Sequence, residues 1–430
     1  MESTKEAGLF IAYGALMSMA LVPIYVGSIA SLKTMKRPEN AQKSKKSLSP
    51  LDDSDDEDVG ADTLTTNDAL MFPIIASGVL FSLYMMYRYL DERYLNYGIT
   101  AYFSIVGCAA MTKTGLMVAK AVTPLSLLKN VDKYKVSLSK GGKRLNHLSF
   151  TVVHIGLAVL SILMTIYYGI TKNWVASNLF GLSFSVNALT LLSLGSFTTG
   201  MSLLAGLFFY DIFWVFGTDV MVSVAKNFDA PIKVLWPRDA IAYFLGDPTA
   251  IGFTMLGLGD IVIPGAFVAL CLHFDRHMAW KRNPVGDFRS TDFPKPYFIA
   301  CFVAYIAGLA TTMAVMHIFH AAQPALLYLS PACIISALLT AAVRGEIKEL
   351  FSFSDEETEE EKEKKSKTKE VKEAKEEKKE EEKTTVVETV EIETDSVSEM
   401  NVVVSESEEE TVVVKSPKSG GKKKKGGKRK

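Results

Sequence analysis

Asp211 and Asp260 each lie inside a stretch that otherwise reads as membrane-spanning helix, Phe208-Phe209-Tyr210-Asp211-Ile212-Phe213-Trp214 and Gly257-Leu258-Gly259-Asp260-Ile261-Val262. A carboxylate at bilayer depth is costly without a partner or a hydrated cavity, so it points to a functional site. Two carboxyl groups held close together cannot both ionise cheaply, and one keeps a proton while the other remains a base. Such a pair can take a proton from water as it attacks an amide carbonyl and protonate the developing oxyanion, with no metal, cofactor or covalent intermediate. Gly257 and Gly259 remove bulk beside Asp260 and let another backbone approach. Pro264 has no amide hydrogen to give the carbonyl of Asp260, four residues back, which predicts a kink and a hydrated cavity near the acid.

A third element addresses a helical substrate. Gln323-Pro324-Ala325-Leu326 opens the last apolar run. A helix inside a bilayer has its amides locked in hydrogen bonds, so cleavage requires local unwinding. An extended segment at Pro324 can partner the freed groups by strand addition. The competing reading, that Pro324 merely starts a helix, is at least as strong on these residues alone.

The elements that must position these groups are apolar runs of about 20 residues, the length that crosses a bilayer. Nine qualify, at about 8–31, 69–89, 97–122, 148–170, 174–194, 196–218, 250–274, 296–320 and 322–343. The expected fold is an all-α polytopic membrane protein with nine transmembrane helices. Asp211 then lies about 22 Å from the start of span six, and Asp260 about 21 Å from the end of span seven. Because these spans run in opposite directions, the two carboxylates come to similar depth. The first run is too long for the apolar core of a signal peptide and is read as a retained span, although Ser28-Ile29-Ala30 resembles a cleavage site.

Charge placement sets the orientation. Basic residues crowd the segments after span one (Lys33, Lys36, Arg37, Lys43, Lys45, Lys46), after span three (Lys129 to Arg144) and after span seven (Arg276 to Lys295). The opposite side carries only Lys5, Arg88, Arg93, Lys172, Lys226, Lys233 and Arg238. This asymmetry puts the N-terminus outside the cytosol and the C-terminus within it.

Residues 1–350 form the expected membrane domain, with 32–68 a charged cytosolic linker; 351–430 form a charged tail for which the composition predicts disorder. The basic end, Lys422 to Lys430, reads as a solvated tail before it reads as a contact for anionic lipid. The overall net charge is −1, which says little about partners. Cys108, Cys271, Cys301 and Cys333 fall in apolar runs without a CxxC pair, as expected for buried thiols.

Tyr210-Asp211, Gly257-Leu258-Gly259-Asp260 and Pro324-Ala325-Leu326, in this order on spans six, seven and nine, resemble the presenilin-type intramembrane aspartyl proteases. Tyr210–Val224, Gly257–Pro264 and Gln323–Cys333 are similar to the signal peptide peptidase family in particular. The resemblance covers the chain to about residue 350. It implies a catalytic pair, Asp211 and Asp260, with Tyr210, Gly257, Leu258, Gly259, Gln323, Pro324, Ala325 and Leu326 positioning the pair or the substrate. It further implies location in the endoplasmic reticulum membrane, cleavage of signal peptides left by signal peptidase, and activity on other type II or tail-anchored segments. Quality-control partners in that membrane are compatible with it; a metal, a cofactor or a nucleic-acid partner is not expected. The inverted arrangement read from the charges suits substrates with a cytosolic N-terminus. Lys428 stands third from the end, but Gly426 and Gly427 interrupt a dilysine-type retrieval signal.

Other readings compete. Intramembrane carboxylates also build proton relays in transporters, with Lys113, Lys120 and His154 as further members. Gly181-Leu182-Ser183 superficially fits a serine nucleophile, with His273 or His317 as base; His273 and His277 are four apart but lack the glutamate of a zinc-protease motif. Ala300, Ala304 and Gly308 form a small-residue stripe, most simply a helix-packing face and otherwise a surface for self-association.

Overall fold

The computed structural model describes residues 2–35, 63–123, 133–140, 143–228, 230–246, 252–284, 288, 290–319 and 323–354. Within the apolar runs the backbone satisfies its own hydrogen bonds as helix, the solution a bilayer imposes. The helices are α1 (Glu2–Ser31), α2 (Thr66–Tyr89), α3 (Glu92–Val122), α4 (Val152–Thr171), α5 (Trp174–Leu191), α6 (Phe197–Asp211), α7 (Val220–Asn227), α8 (Ala240–Phe244), α9 (Gly259–Arg282), α10 (Pro296–Phe319), α11 (Leu326–Arg344) and α12 (Ile347–Ser352). Among the described residues eight are long and apolar enough to cross a membrane, with α6 counted together with a π-helical continuation over Ile212–Phe216. The protein is a mostly helical, polytopic membrane protein. The remaining expected span, 174–194, is α5, which falls outside the eight; its buried Ser177, Asn178, Ser183, Ser185 and Asn187 make it a helix enclosed by protein rather than lipid.

The helix α9 is the most deeply buried of the eight, and α1, α6, α10 and α11 pack around it. The core runs from Leu16, Ala20 and Ile24 of α1 through Leu203 and Leu204 of α6 to Leu329 and Ala337 of α11. Outside this layer, α2 and α4 turn Ile74, Ile75, Leu163 and Ile166 outward, as lipid-facing helices should.

Helix ends are tied down by side chains. Thr65 and Asp68 form a capping box on α2, Asn173 caps α5 and Ser196 caps α6. The N-terminus of α10 is held from another helix: buried Asp275 of α9 accepts from the amides of Tyr297 (3.2 Å) and Phe298 (2.8 Å). At the same end of the bundle Glu346 accepts from Tyr297, Arg282 and Arg344, joining α9, α10 and α11. Burial on its own would raise the Glu346 pKa, but the hydrogen bonds from Arg344 and Tyr297 and the charges of Arg344 and Arg282 outweigh it and hold the carboxyl below 4.5.

The structure departs from the expected all-helical chain at three small sheets. β1 (Thr63–Leu64) pairs in parallel with β4 (Ser193–Leu194), and β2 (Lys133–Lys140) pairs antiparallel with β3 (Lys143–Thr151). β5 (Lys233–Pro237) and β6 (Phe253–Gly257) form an antiparallel hairpin directly before α9. Span seven therefore starts at Gly259, not near 250, and extends to Arg282 rather than 274. Residues 351–354 belong to the folded part: Phe353 is buried against Phe197 and Phe274, and Ser354 bridges to Ser196. The linker residues 36–62 and the tail from 355 lie outside the described residues.

Candidate active site

Asp211 is the last residue of α6, and it is buried. After it the helix widens into the π-helical turn Ile212–Phe216, a feature that recurs at functional sites. Trp214 in that turn is anchored to α2, its Nε1–H donating to Ser77 Oγ at 3.0 Å. Tyr210 is half-buried, its ring tilted on Trp214.

Asp260 is the second residue of α9, in a first turn closed by the amides of Ile261 (3.1 Å) and Val262 (2.8 Å) donating to Leu258 O. Phe197 of α6 packs between Phe267 and Phe274 of α9, which fixes how the antiparallel pair slides. Counted from Phe197, Asp211 is about 21 Å along α6; counted back from Phe274, Asp260 is about 21 Å along α9. The two carboxylates lie close enough for the charge of Asp211 to act on Asp260. Asp211 also faces α11, which packs along α6 and begins at Leu326, whose amide acts on the Asp211 carboxylate. Each acid thus sits at a helix N-terminus, Asp260 on its own helix and Asp211 beside that of α11, where the helix dipole favours an anion.

The predicted positioning residues surround this pair unevenly. A Cβ on Gly257 would stand 3.3 Å from Asp260 Oδ2, so glycine there makes room for the carboxylate itself. Gly259 differs from expectation: a Cβ there would meet nothing within 4 Å. Leu258 is the N-cap of α9, its amide donating to Ile232 O at 2.9 Å. Pro324, Ala325 and Leu326 are buried and Gln323 half-buried, with helix beginning only at Leu326. Pro264 lies inside α9, which runs through it as one continuous helix.

Sequence reasoning missed the hairpin beside Asp260. The amides of Leu258 and Arg238 bond the carbonyls of Ile232 and Gly252, so the even-numbered residues of the two strands face each other. Alternation turns the backbone groups of Phe253, Met255 and Gly257 towards the open edge of β6. The outer edge of β5 is closed by a side chain: Asn178 of α5 accepts from Leu235 N (2.8 Å) and donates to Leu235 O (2.7 Å), imitating a third strand. A polar residue inside the apolar run 174–194 was the available signal.

The competing constellations are not assembled. Gly181 provides close packing, a Cβ there meeting Leu258 Cδ1 at 3.3 Å, and Ser183 O accepts from Asn187 (2.8 Å). His273 is buried and paired with Ser31 (2.9 Å), His277 meets Phe353 edge to face, and His317 lies against Phe10 and Tyr13. His154 bonds Thr151 at the start of α4, and Lys113 is exposed on α3. Gly308 packs on Leu329 and Ala332 of α11, as a helix-packing stripe predicts. Cys271, Cys301 and Cys333 are buried free thiols.

The signal peptide peptidase family profile matches residues 56–357. The chain belongs to the signal peptide peptidase family. It is 39% identical over 357 residues to the signal peptide peptidase of Homo sapiens, covering 82% of this chain and 85% of that protein. It is 36% identical over 288 residues to a probable intramembrane protease of Schizosaccharomyces pombe, covering 67% of this chain and 83% of that one. A 188-residue stretch is 50% identical to intramembrane protease 2 of Caenorhabditis elegans, covering 43% and 39% of the two chains. Membership makes the protein a multi-pass membrane protease, and Asp211 and Asp260 lie within the matched region.

Proposed function

We propose that the protein is an intramembrane aspartyl endopeptidase whose two-carboxylate dyad is Asp211 and Asp260. The observation that carries the reading is the approach of two carboxylates from different spans, Asp211 lying beside the N-terminus of a third helix and Asp260 in the first turn of its own. One carboxylate takes a proton from water as the oxygen attacks the scissile carbonyl carbon, and the other, protonated, gives its proton to the carbonyl oxygen. Collapse of the tetrahedral intermediate breaks the C–N bond as a proton passes to the leaving amine. The protonation state belongs to the pair.

The substrate segment is held unwound against the open edge of β6, where the outward backbone groups of Met255 and Gly257 accept an added strand next to Asp260. Pro324 and Ala325 enclose the other side. Substrates are signal peptides and other type II or tail-anchored segments in the endoplasmic reticulum membrane. The protein has nine spans with a lumenal N-terminus and α5 as the fifth. The kinship with a human protein named signal peptide peptidase supports this assignment.

Purified protein in lipid vesicles, given a synthetic signal peptide, tests the dyad. Asp211→Asn and Asp260→Asn should each abolish cleavage while the protein stays folded. Substantial turnover in either variant refutes it.

A further inference from the structure

A carbonyl at the head of α9 is satisfied by an unusual donor. In an α-helix the amide of residue i+4 donates to the carbonyl of residue i. For Asp260 that residue is Pro264, which has no amide hydrogen. The neighbourhood is closed, with Ile261 wholly buried and Pro264 buried too, so an unbonded carbonyl would be costly. The Tyr305 hydroxyl of α10 fills the gap, donating to Asp260 O at 3.2 Å. Tyr305 is itself wholly buried, on a face it shares with Cys301 and Gly308. A buried tyrosine hydroxyl needs a partner, and here it finds the one carbonyl the proline strands.

The position of Tyr305 extends the consequence. One turn along the same face, Gly308 abuts Leu329 and the carbonyl of Tyr328 on α11, whose first amide reaches Asp211. The helix α10 therefore links the backbone of one acid to the helix that holds the other.

We propose that Tyr305 is a positioning residue for Asp260, its hydroxyl replacing the amide that Pro264 withholds and fixing the turn that carries the carboxylate. The inference rests on Asp260 being half of the dyad, and the experiment separates the two claims.

The test is a double-variant cycle in the full-length purified protein, with cleavage of a synthetic signal peptide in vesicles as readout. Tyr305→Phe keeps the ring and removes the donor. Its kcat should fall about tenfold, equivalent to roughly 1.4 kcal/mol, with KM within about twofold and the kcat–pH profile displaced. Pro264→Ala restores an N–H to the same carbonyl, so Tyr305→Phe/Pro264→Ala should recover most of the lost kcat and the wild-type profile. Tyr305→Phe with wild-type kcat and profile, or a double variant no faster than Tyr305→Phe, overturns the proposal. If Tyr305→Phe does not fold, recovery of folding by Pro264→Ala supports the shared carbonyl, and failure to recover overturns it. Asp260→Asn is run alongside: activity in that variant defeats the dyad, whereas an inactive Asp260→Asn with an unaffected Tyr305→Phe defeats only the role of Tyr305.

Discussion

Gly257→Ala would press one methyl group against a carboxylate of the proposed dyad. A Cβ at residue 257 stands 3.3 Å from Asp260 Oδ2 and 3.9 Å from its Cγ. Comfortable contact lies at about 3.5–4.0 Å, so the carboxylate must retreat by a few tenths of an ångström. A displacement of about 1 Å can cost roughly 100-fold in rate, so a third of that predicts a kcat loss of about 3- to 5-fold. Gly257→Val adds two more methyl groups at the same place and should lose about 100-fold. Stability should not fall with activity, because Gly257 has an ordinary φ and an alanine there restricts the unfolded chain by about 0.4–1 kcal/mol. Gly259→Ala is the matched comparison: its methyl enters open space beside the dyad, so KM should rise with kcat retained. Initial rates over a range of signal-peptide concentrations in vesicles, with a thermal melt for each variant, give all these quantities. Wild-type kcat in a folded Gly257→Val, or equal kcat losses at both glycines, would refute the steric argument.

Asn178→Ala should orphan both backbone groups of Leu235 and cost about 1–3 kcal/mol, read as a lower Tm together with faster amide exchange in residues 233–237; unchanged exchange there would mean that the side chain does not hold the strand. Asp275→Ala removes the acceptor for the Tyr297 and Phe298 amides and should destabilise by roughly 2–3 kcal/mol, an expectation that a wild-type melting temperature would overturn. Glu346 has a depressed pKa, so its contribution is present above 4.5 and is lost as pH falls through the folded-state value. Melting temperature should therefore drop more steeply below pH 4.5 in the wild type than in Glu346→Gln, and equal slopes would remove Glu346 from the acid response.

The two carboxylates and the Gly257 and Pro324 motifs were legible because polar or helix-breaking residues stand out against an apolar run. The start of span seven was not. Residues 253–257 are apolar and glycine-flanked, which suits helix or strand equally, and only the buried Thr254 and Leu256 around exposed Met255 betray a period of two. The enclosure of α5 by protein was not legible from its length and mean apolarity, although its serines and asparagines carried the signal. Asn178 and Tyr305 have partners 57 and 45 residues away in sequence, a separation at which no local pattern can pair them. Pro264 was legible as a missing donor, but what replaced it was settled by helix packing.

The π-helical turn after Asp211 has a consequence for how the chain tolerates change in length. Such a turn amounts to one surplus residue absorbed without breaking the helix. Residues before it keep the face that Phe197–Asp211 offers to α9 and α11, while those after it are rotated towards other neighbours, Trp214 to Ser77 among them. Deleting a single residue within Ile212–Phe216 would return the turn to α-helical geometry and leave both Asp211 and the residues beyond close to the faces they now occupy, whereas the same deletion within Phe197–Asp211 would swing one side against the other by about 100°. The surplus residue lets one continuous helix serve two registers, one for its acid and one for its anchor on α2.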